Sequence, residues 1–189
     1  NFVRMYSKER QRSGISIYHA EELMSHQNYF GAMMVKHGLA DALITGPTLN
    51  YADCFPPLIH VLGTQDKKSA AGIFIMTFKN RVLFFADCAV QIEPTEEQLC
   101  EIAADTAELF RKLMKREPRI AFLSYSNFGS NDHEKALKVK RAVKLTKTRY
   151  PNLIVDGEVQ ADVAVNKNLM DKLFNFSTLD GPTDVLIFP

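Results

Sequence analysis

An apolar run carrying Ile120, Phe122 and Leu123 within Pro118 to Tyr125 leads through Ser124-Tyr125-Ser126-Asn127-Phe128-Gly129-Ser130 into a long basic segment, His133 to Arg149. The run alternates as a strand entering a core does, and the basic segment has the charge patterning of a helix. A strand that feeds a helix commits the chain to layers, because the helix must bury one face against the sheet that the strand joins. The connecting serines and glycine aim hydroxyls and backbone N–H groups at one point, where the helix dipole also favours negative charge. Ser124, Ser126, Asn127, Gly129 and Ser130 are therefore candidate anion-binding residues.

The same alternation of strands and helices extends along the chain. Helices are predicted from Phe2 to Arg12, ended by Ser13-Gly14, from Ile17 to Met24, and from Asn28 to His37 with Gly38 as the stop. Ala40 to Gly46 reads as a short apolar strand closed by Gly-Pro, and Tyr51 to Leu62 as a helix with Pro56-Pro57 near its start. Ala71 to Phe78 and Val82 to Ala86 fit a hairpin across Lys79-Asn80-Arg81. Pro94-Thr95-Glu96-Glu97 starts the longest helix, whose apolar face runs from Leu99 through Phe110 to Leu113. After the basic helix come a strand at Leu153 to Val155, short helices near Ala161 and from Leu169 to Phe174, and a last strand from Asp184 to Phe188. Thr64 to Ser69 and Asn175 to Thr183 read as surface loops. The pattern predicts a three-layer α/β/α fold with a largely parallel, partly mixed sheet.

Charge excludes some partners. With 23 Lys and Arg against 22 Asp and Glu the net charge is +1, so no global field draws the chain to nucleic acid or anionic membrane. No apolar stretch approaches the roughly 20 residues of a membrane span, and no secretory signal opens the chain, which predicts a cytoplasmic protein. Its three cysteines have no metal spacing and suit reduced thiols, and its five histidines form no zinc arrangement. The chain starts at Asn1 inside helical patterning and stops at Pro189 just after a strand, which reads as part of something longer.

Four segments fall where strands end: Thr45 to Thr48, Ala86 to Ala89, Ser124 to Ser130 and Asp156 to Asp162. Carboxyl-end loops of an open α/β sheet converge on a ligand crevice, although Ser, Asp and Gly also belong in turns and caps on local grounds. Asp156, Glu158 and Asp162 could share a cation or acid–base work, but their spacing matches no known metal loop. Ser124 and Ser126 lack the nucleophile-elbow context of a serine hydrolase, so hydrogen bonding to phosphate or carbonyl oxygens is their better role. Lys135, Lys138, Lys140, Arg141, Lys144, Lys147 and Arg149 make either a solvated face or a site for a phosphorylated small molecule or acidic surface. Without interleaved aromatics they do not suit single-stranded nucleic acid.

Read in order, Asn28-Tyr-Phe-Gly-Ala-Met-Met-Val35, Gly38-Leu-Ala-Asp-Ala42, Tyr51-Ala-Asp53, Phe85-Ala-Asp-Cys-Ala-Val90, Glu97 to Ala103, Pro118-Arg119, Leu123 to Ser126 with Gly129-Ser130, and Asp156-Gly157 with Gln160 resemble the phosphate acetyl/butyryltransferase family. The resemblance spans most of the chain. It implies a fold similar to isocitrate and isopropylmalate dehydrogenases, with two α/β domains flanking a cleft, the chain supplying mostly the second. CoA and acetyl phosphate are the implied ligands. Arg10 matches a substrate-binding arginine of the family. Pro56 stands where active members carry another arginine, and the family's catalytic serine–arginine pair lies beyond Phe188.

Ser126 to Ser130 and Asp156 to Asp162 further resemble a branch in which this module follows an NADP-dependent malic enzyme. That branch leads to the principal expectation: a regulatory and oligomerisation domain that senses acetyl-CoA and lacks transferase activity. Arg10, Ser124, Ser126, Asn127, Gly129, Ser130, Asp156, Glu158 and Gln160 would form the effector site, with no catalytic residue and no metal. The full protein would decarboxylate malate oxidatively, with NADP and a divalent metal in an upstream malic domain, its partner in a homo-oligomer of at least two copies. The alternatives are an active phosphate acyltransferase and a purely structural dimerisation module.

Overall fold

The computed structural model describes residues 1–64 and 69–189. The chain divides into two compact units, residues 1–68 and 69–189. Most of the expected Thr64 to Ser69 loop, residues 65–68, lies outside the described residues.

The first unit is helical throughout its described elements. Helix α1 (Phe2–Arg10) runs into a 3₁₀ turn (Gln11–Ser13), which Gly14 ends at φ +81°. Helices α2 (Ile17–Ser25), α3 (Gln27–Lys36) and α4 (Tyr51–Val61) follow. Ser16 caps α2 by accepting from the His19 N–H. Tyr6, Ala20, Met24, Tyr29, Ala32, Met33 and Val61 make the core of this unit.

Two expectations are corrected in this unit. Residues 40–46 do not form a strand. A strand needs a partner for its backbone, and this segment is held instead by side chains: Leu43 packs over Gly31, and the Thr45 hydroxyl donates to Asn28 Oδ1 at 2.7 Å. Pro56 and Pro57 are the sixth and seventh residues of the 11-residue α4, inside the helix and not near its start. Lacking N–H groups, they leave the carbonyls of Ala52 and Asp53 without their helical donors. The Asp53 carbonyl accepts from Asn28 Nδ2 at 3.5 Å.

The second unit is the layered one. Strands β1 (Ile73–Phe78), β2 (Arg81–Ala86), β3 (Arg119–Leu123), β4 (Ile154–Val159) and β5 (Val185–Ile187) form a sheet of order β1-β2-β5-β3-β4. β1 and β2 are an antiparallel hairpin closed by Lys79-Asn80, and every other pairing is parallel. Helices α5 (Glu96–Met114) and α6 (Glu134–Arg149) bury Leu99, Phe110, Val139 and Val143 against Phe84, Ile120, Phe122 and Ile187 on one face. Helices α7 (Ala161–Val165) and α8 (Lys167–Leu173) bury Val163 and Met170 against Ala121, Leu123 and Leu186 on the other. Successive strand residues thus serve opposite faces, as the pleat requires. This is the expected three-layer α/β/α fold with a mixed, mostly parallel sheet. At the head of α5 the Thr95 hydroxyl accepts from the Gln98 N–H while Gln98 Oε1 accepts from the Thr95 N–H, a complete capping box.

Candidate functional site

At the carboxyl end of the parallel strands the turn after β3 meets the end of β4. Phe122 pairs with Gly157 but Leu123 pairs with Val159, so Glu158 is the extra residue of a β-bulge. Gly157 permits it: at φ +137° a Cβ there would lie 2.6 Å from the Phe122 carbonyl oxygen. The bulge sends the Glu158 side chain into the turn, where only 1 % of the residue is exposed. Its Oε1 accepts from the Gly129 N–H at 2.5 Å and the Ser126 hydroxyl at 3.2 Å, and its backbone oxygen accepts from the Phe128 N–H at 2.7 Å. Glu158 Oε2 is buried and has no hydrogen-bond partner among the described residues.

Other donors of the turn are engaged as well. Asn127 Nδ2 donates to Gln160 Oε1 at 2.9 Å, the Gln160 N–H donates to Asn127 Oδ1 at 2.8 Å, and Gln160 Nε2 donates to the Tyr125 carbonyl at 2.7 Å. Ser130 Oγ lies 3.2 Å from Ser126 Oγ and accepts from the Asn127 N–H. Ser124 Oγ accepts from the Ser126 N–H at 3.2 Å. The structure therefore brings Ser124, Ser126, Asn127, Gly129, Ser130, Glu158 and Gln160 together. Two of the donors expected for an external anion, the Ser126 hydroxyl and the Gly129 N–H, are turned onto the carboxylate of Glu158.

Asp156 points away from this turn, to Lys147 and the loop after α8. Asp156 accepts from Lys147 at 2.8 Å, the Ser177 hydroxyl at 2.9 Å and the Thr178 N–H at 2.8 Å. Burial pushes its carboxyl up, but these three donors outweigh burial and hold it below its ordinary value. Asp156 is thus an anchor for the loop after α8. Asp162 sits in the first turn of α7, and among the described residues Asp156, Glu158 and Asp162 form no group that could hold a metal ion. Arg10 belongs to the first unit, where it ends α1 one turn after the buried Tyr6 and its Nε is buried without a partner among the described residues.

Two further segments resolve into structural roles. Asp87 accepts from the N–H groups of Ala89, Val90 and Gln91 at 2.8 to 3.1 Å and so ties the loop after β2. Burial, and then the Asp87 charge, push the Cys88 thiol up, away from an activated thiolate. On α6, Lys135 and Lys138 pair with Glu93, Arg141 pairs with Glu96 and Glu134, and Lys147 pairs with Asp156. The basic helix is in large part answered by the chain's own acids.

Sequence reasoning missed a cleft of about 560 Å³ in the first unit. Leu23, Ser25, His26, Gln27, Asn28 and Tyr29 form one side, and Leu49, Ala52, Asp53, Pro56 and Pro57 the other. Its floor is Asn28, 5 % exposed, which joins Thr45 to the Asp53 carbonyl. The Pro56-Pro57 pair signalled it, because a double proline inside a helix turns backbone carbonyls outward.

An open α/β sheet whose strand-end loops after β2, β3 and β4 share one edge defines the class of ligand-binding α/β proteins with their crevice at the carboxyl ends. The chain belongs to the phosphate acetyl/butaryl transferase family, which matches residues 1–189. It is 37 % identical over 187 residues to a phosphate acetyltransferase of Thermoanaerobacterium thermosaccharolyticum, covering 95 % of this chain and 57 % of that protein. It is 36 % identical over 182 residues to the phosphate acetyltransferase of Bacillus subtilis, covering 96 % and 56 %. A phosphotransacetylase from Streptococcus pyogenes superposes with a TM-score of 0.86 at 32 % identity, over 100 % of this chain and 59 % of that one. The EutD phosphotransacetylase from Staphylococcus aureus gives 0.82 at 32 % identity, over 100 % and 58 %. The chain thus spans somewhat more than half the length of these relatives.

These relatives correct the principal expectation. They are acyl-transferring proteins matched across nearly the whole chain, and they support neither a malic enzyme branch nor oxidoreductase chemistry. Malate decarboxylation, NADP, an upstream divalent metal and a malic-domain partner accordingly leave the account. Among the described residues no helix is long and apolar enough to cross a membrane.

Proposed function

We propose that the protein takes part in phosphate acyl transfer, exchanging an acetyl or related acyl group between CoA and inorganic phosphate in the cytoplasm. One observation carries this reading: family membership over residues 1–189 together with 36 to 37 % identity to phosphate acetyltransferases. In the reaction a phosphate oxygen attacks the thioester carbonyl, the C–S bond breaks, and the phosphate proton passes to the departing thiolate. Such chemistry rests on positioning and on donors aimed at developing negative charge.

Acetyl-CoA is the proposed substrate. Arg10, whose buried Nε has no partner among the described residues, is the proposed anion-binding cation. Within the second unit, the turn from Ser124 to Ser130, locked by Glu158 and Gln160, is proposed as a separate rigid ligand-facing element at the sheet edge where the class binds ligands. Pro56 stands where the resemblance places a second arginine, which leaves more of the phosphate charge to Arg10. A homo-oligomeric state is part of the proposal and is read by light scattering.

The test is thioester formation from acetyl phosphate and CoA by the full-length protein, with Arg10→Ala beside it. Wild-type protein makes acetyl-CoA, and Arg10→Ala lowers kcat/KM for acetyl phosphate by about tenfold or more, the scale of a lost charge-assisted contact. Turnover indifferent to Arg10 overturns the assignment of that residue.

A further inference from the structure

We propose that His37, with Glu9 and Lys36, forms a proton-operated clasp that draws the end of α1 onto the end of α3 and so sets the position of Arg10. The inference rests on the acyl-transfer reading, in which Arg10 holds the anionic substrate, and names how pH regulates that residue. Helices α1 and α3 meet through side chains. Phe2 stacks on the His37 ring with centroids 5.8 Å apart, Tyr6 meets Tyr29 edge-on at 6.0 Å, and Lys36 donates to Glu9 Oε2 at 2.5 Å. One contact in this seam is unfinished: His37 Nε2 is buried without a hydrogen-bond partner among the described residues and stops 3.9 Å from Glu9 Oε1.

An uncharged imidazole leaves that contact open in both of its tautomers. With the proton on Nδ1, Nε2 turns a lone pair toward a carboxylate; with the proton on Nε2, a neutral donor faces Glu9 from beyond hydrogen-bond range. Proton uptake makes Nε2 a charged donor, and charge-assisted N–H···O contacts settle at about 2.7–2.9 Å, so the gap closes by about 1 Å. His37 is also the C-cap of α3, where the helix dipole favours positive charge. The charged side chains set against it are Glu9 from α1 and Lys36 from its own helix, and Lys36 opposes the clasp because it shares Glu9 and repels an imidazolium. The clasp is therefore closed at low pH and released as the pH rises. Arg10 follows Glu9 as the last residue of α1, and its Nε makes no bond among the described residues that would hold it against a shift of the helix end.

The test combines steady-state kinetics of the full-length protein, with acetyl phosphate varied, and thermal melts, each at about pH 6 and about pH 8, the two sides of the range in which imidazoles change charge. Comparing variants at one pH cancels the ionisation of the substrate itself. His37→Gln should raise the acetyl phosphate KM by about twofold to fivefold at the lower pH, the scale of a partly exposed ion pair, and leave it unchanged at the higher. A merely structural role for His37 moves KM by the same factor at both. In Glu9→Gln, where the imidazolium has no carboxylate to meet, His37→Gln should add nothing at either pH. Melts of the two single variants and the double variant read the pair directly: a coupling of about 1–3 °C at the lower pH and none at the higher. If wild-type protein turns over but His37→Gln shifts KM equally at both pH values, or the melts show no coupling at the lower one, the inference fails alone. If no acyl exchange occurs at all, the acyl-transfer reading fails, and the melts still decide the clasp: coupling confined to the lower pH supports it, and coupling that is absent or equal at both overturns it.

Discussion

Glu158 shows how one side chain organises a turn. The carboxylate is buried, and two donors from the turn converge on a single oxygen; the Gly129 N–H depends on it for satisfaction, while the Ser126 hydroxyl also lies 3.2 Å from Ser130 Oγ. Glu158→Ala strands the Gly129 N–H and empties a buried site, and should cost about 2–4 kcal/mol in urea unfolding, whereas Glu158→Gln keeps an acceptor oxygen and should cost about 1 kcal/mol. Equal losses for the two variants would mean that the carboxylate acts only as filler. Asp156 carries the pH dependence. Its folded value is depressed, so its contribution to stability is complete above the unfolded value near about pH 4 and is lost as the pH falls through the folded value. Wild-type protein should therefore lose stability on acidification below about pH 4, and Asp156→Asn should flatten that part of the curve.

Elements were legible where one periodicity governed them. The hairpin β1–β2, the capping box of α5 and the strand–turn–helix from β3 to α6 follow directly from alternation, from Thr95 with Gln98, and from the break at Ser124 to Ser130. The sequence pattern predicts β4 only over Leu153 to Val155, because Asp156, Gly157 and Glu158 look like a polar turn. In the structure they continue the strand, since Asp156 and Glu158 each find internal donors that replace water. A glycine inside an apolar–polar strand pattern is the one signal that could have announced the bulge. Residues 40–46 misled in the opposite direction, because apolar alternation shows that a segment is extended but does not supply a neighbouring strand. Gly157→Ala should destabilise the protein by about 3 kcal/mol or more, because the added Cβ meets the Phe122 carbonyl at 2.6 Å on a φ of +137°. A thermal melt within about 2 °C of wild type would contradict the bulge geometry.

Across the whole chain, the family and layered fold could be read from the order of motifs, and the branch within the family could not. The loops that suggested a malic enzyme sensor are held by internal bonds: Glu158 grips the turn after β3, and Gln160 ties Asn127 and Tyr125. Bonds of that kind shape a site without naming its reaction, so loop wording carried less information than the relatives matched along nearly the full chain. The basic helix likewise looked like a ligand surface while its partners, Glu93, Glu96, Glu134 and Asp156, were still scattered in sequence. The central claim is acyl transfer to phosphate, and phosphorus NMR of the full-length protein tests it most directly. With acetyl-CoA and inorganic phosphate together, an acyl phosphate resonance should grow as free CoA thiol appears in equal amount, and omitting either substrate should abolish it. Thiol release without acyl phosphate, or no change with both substrates present, would contradict the account.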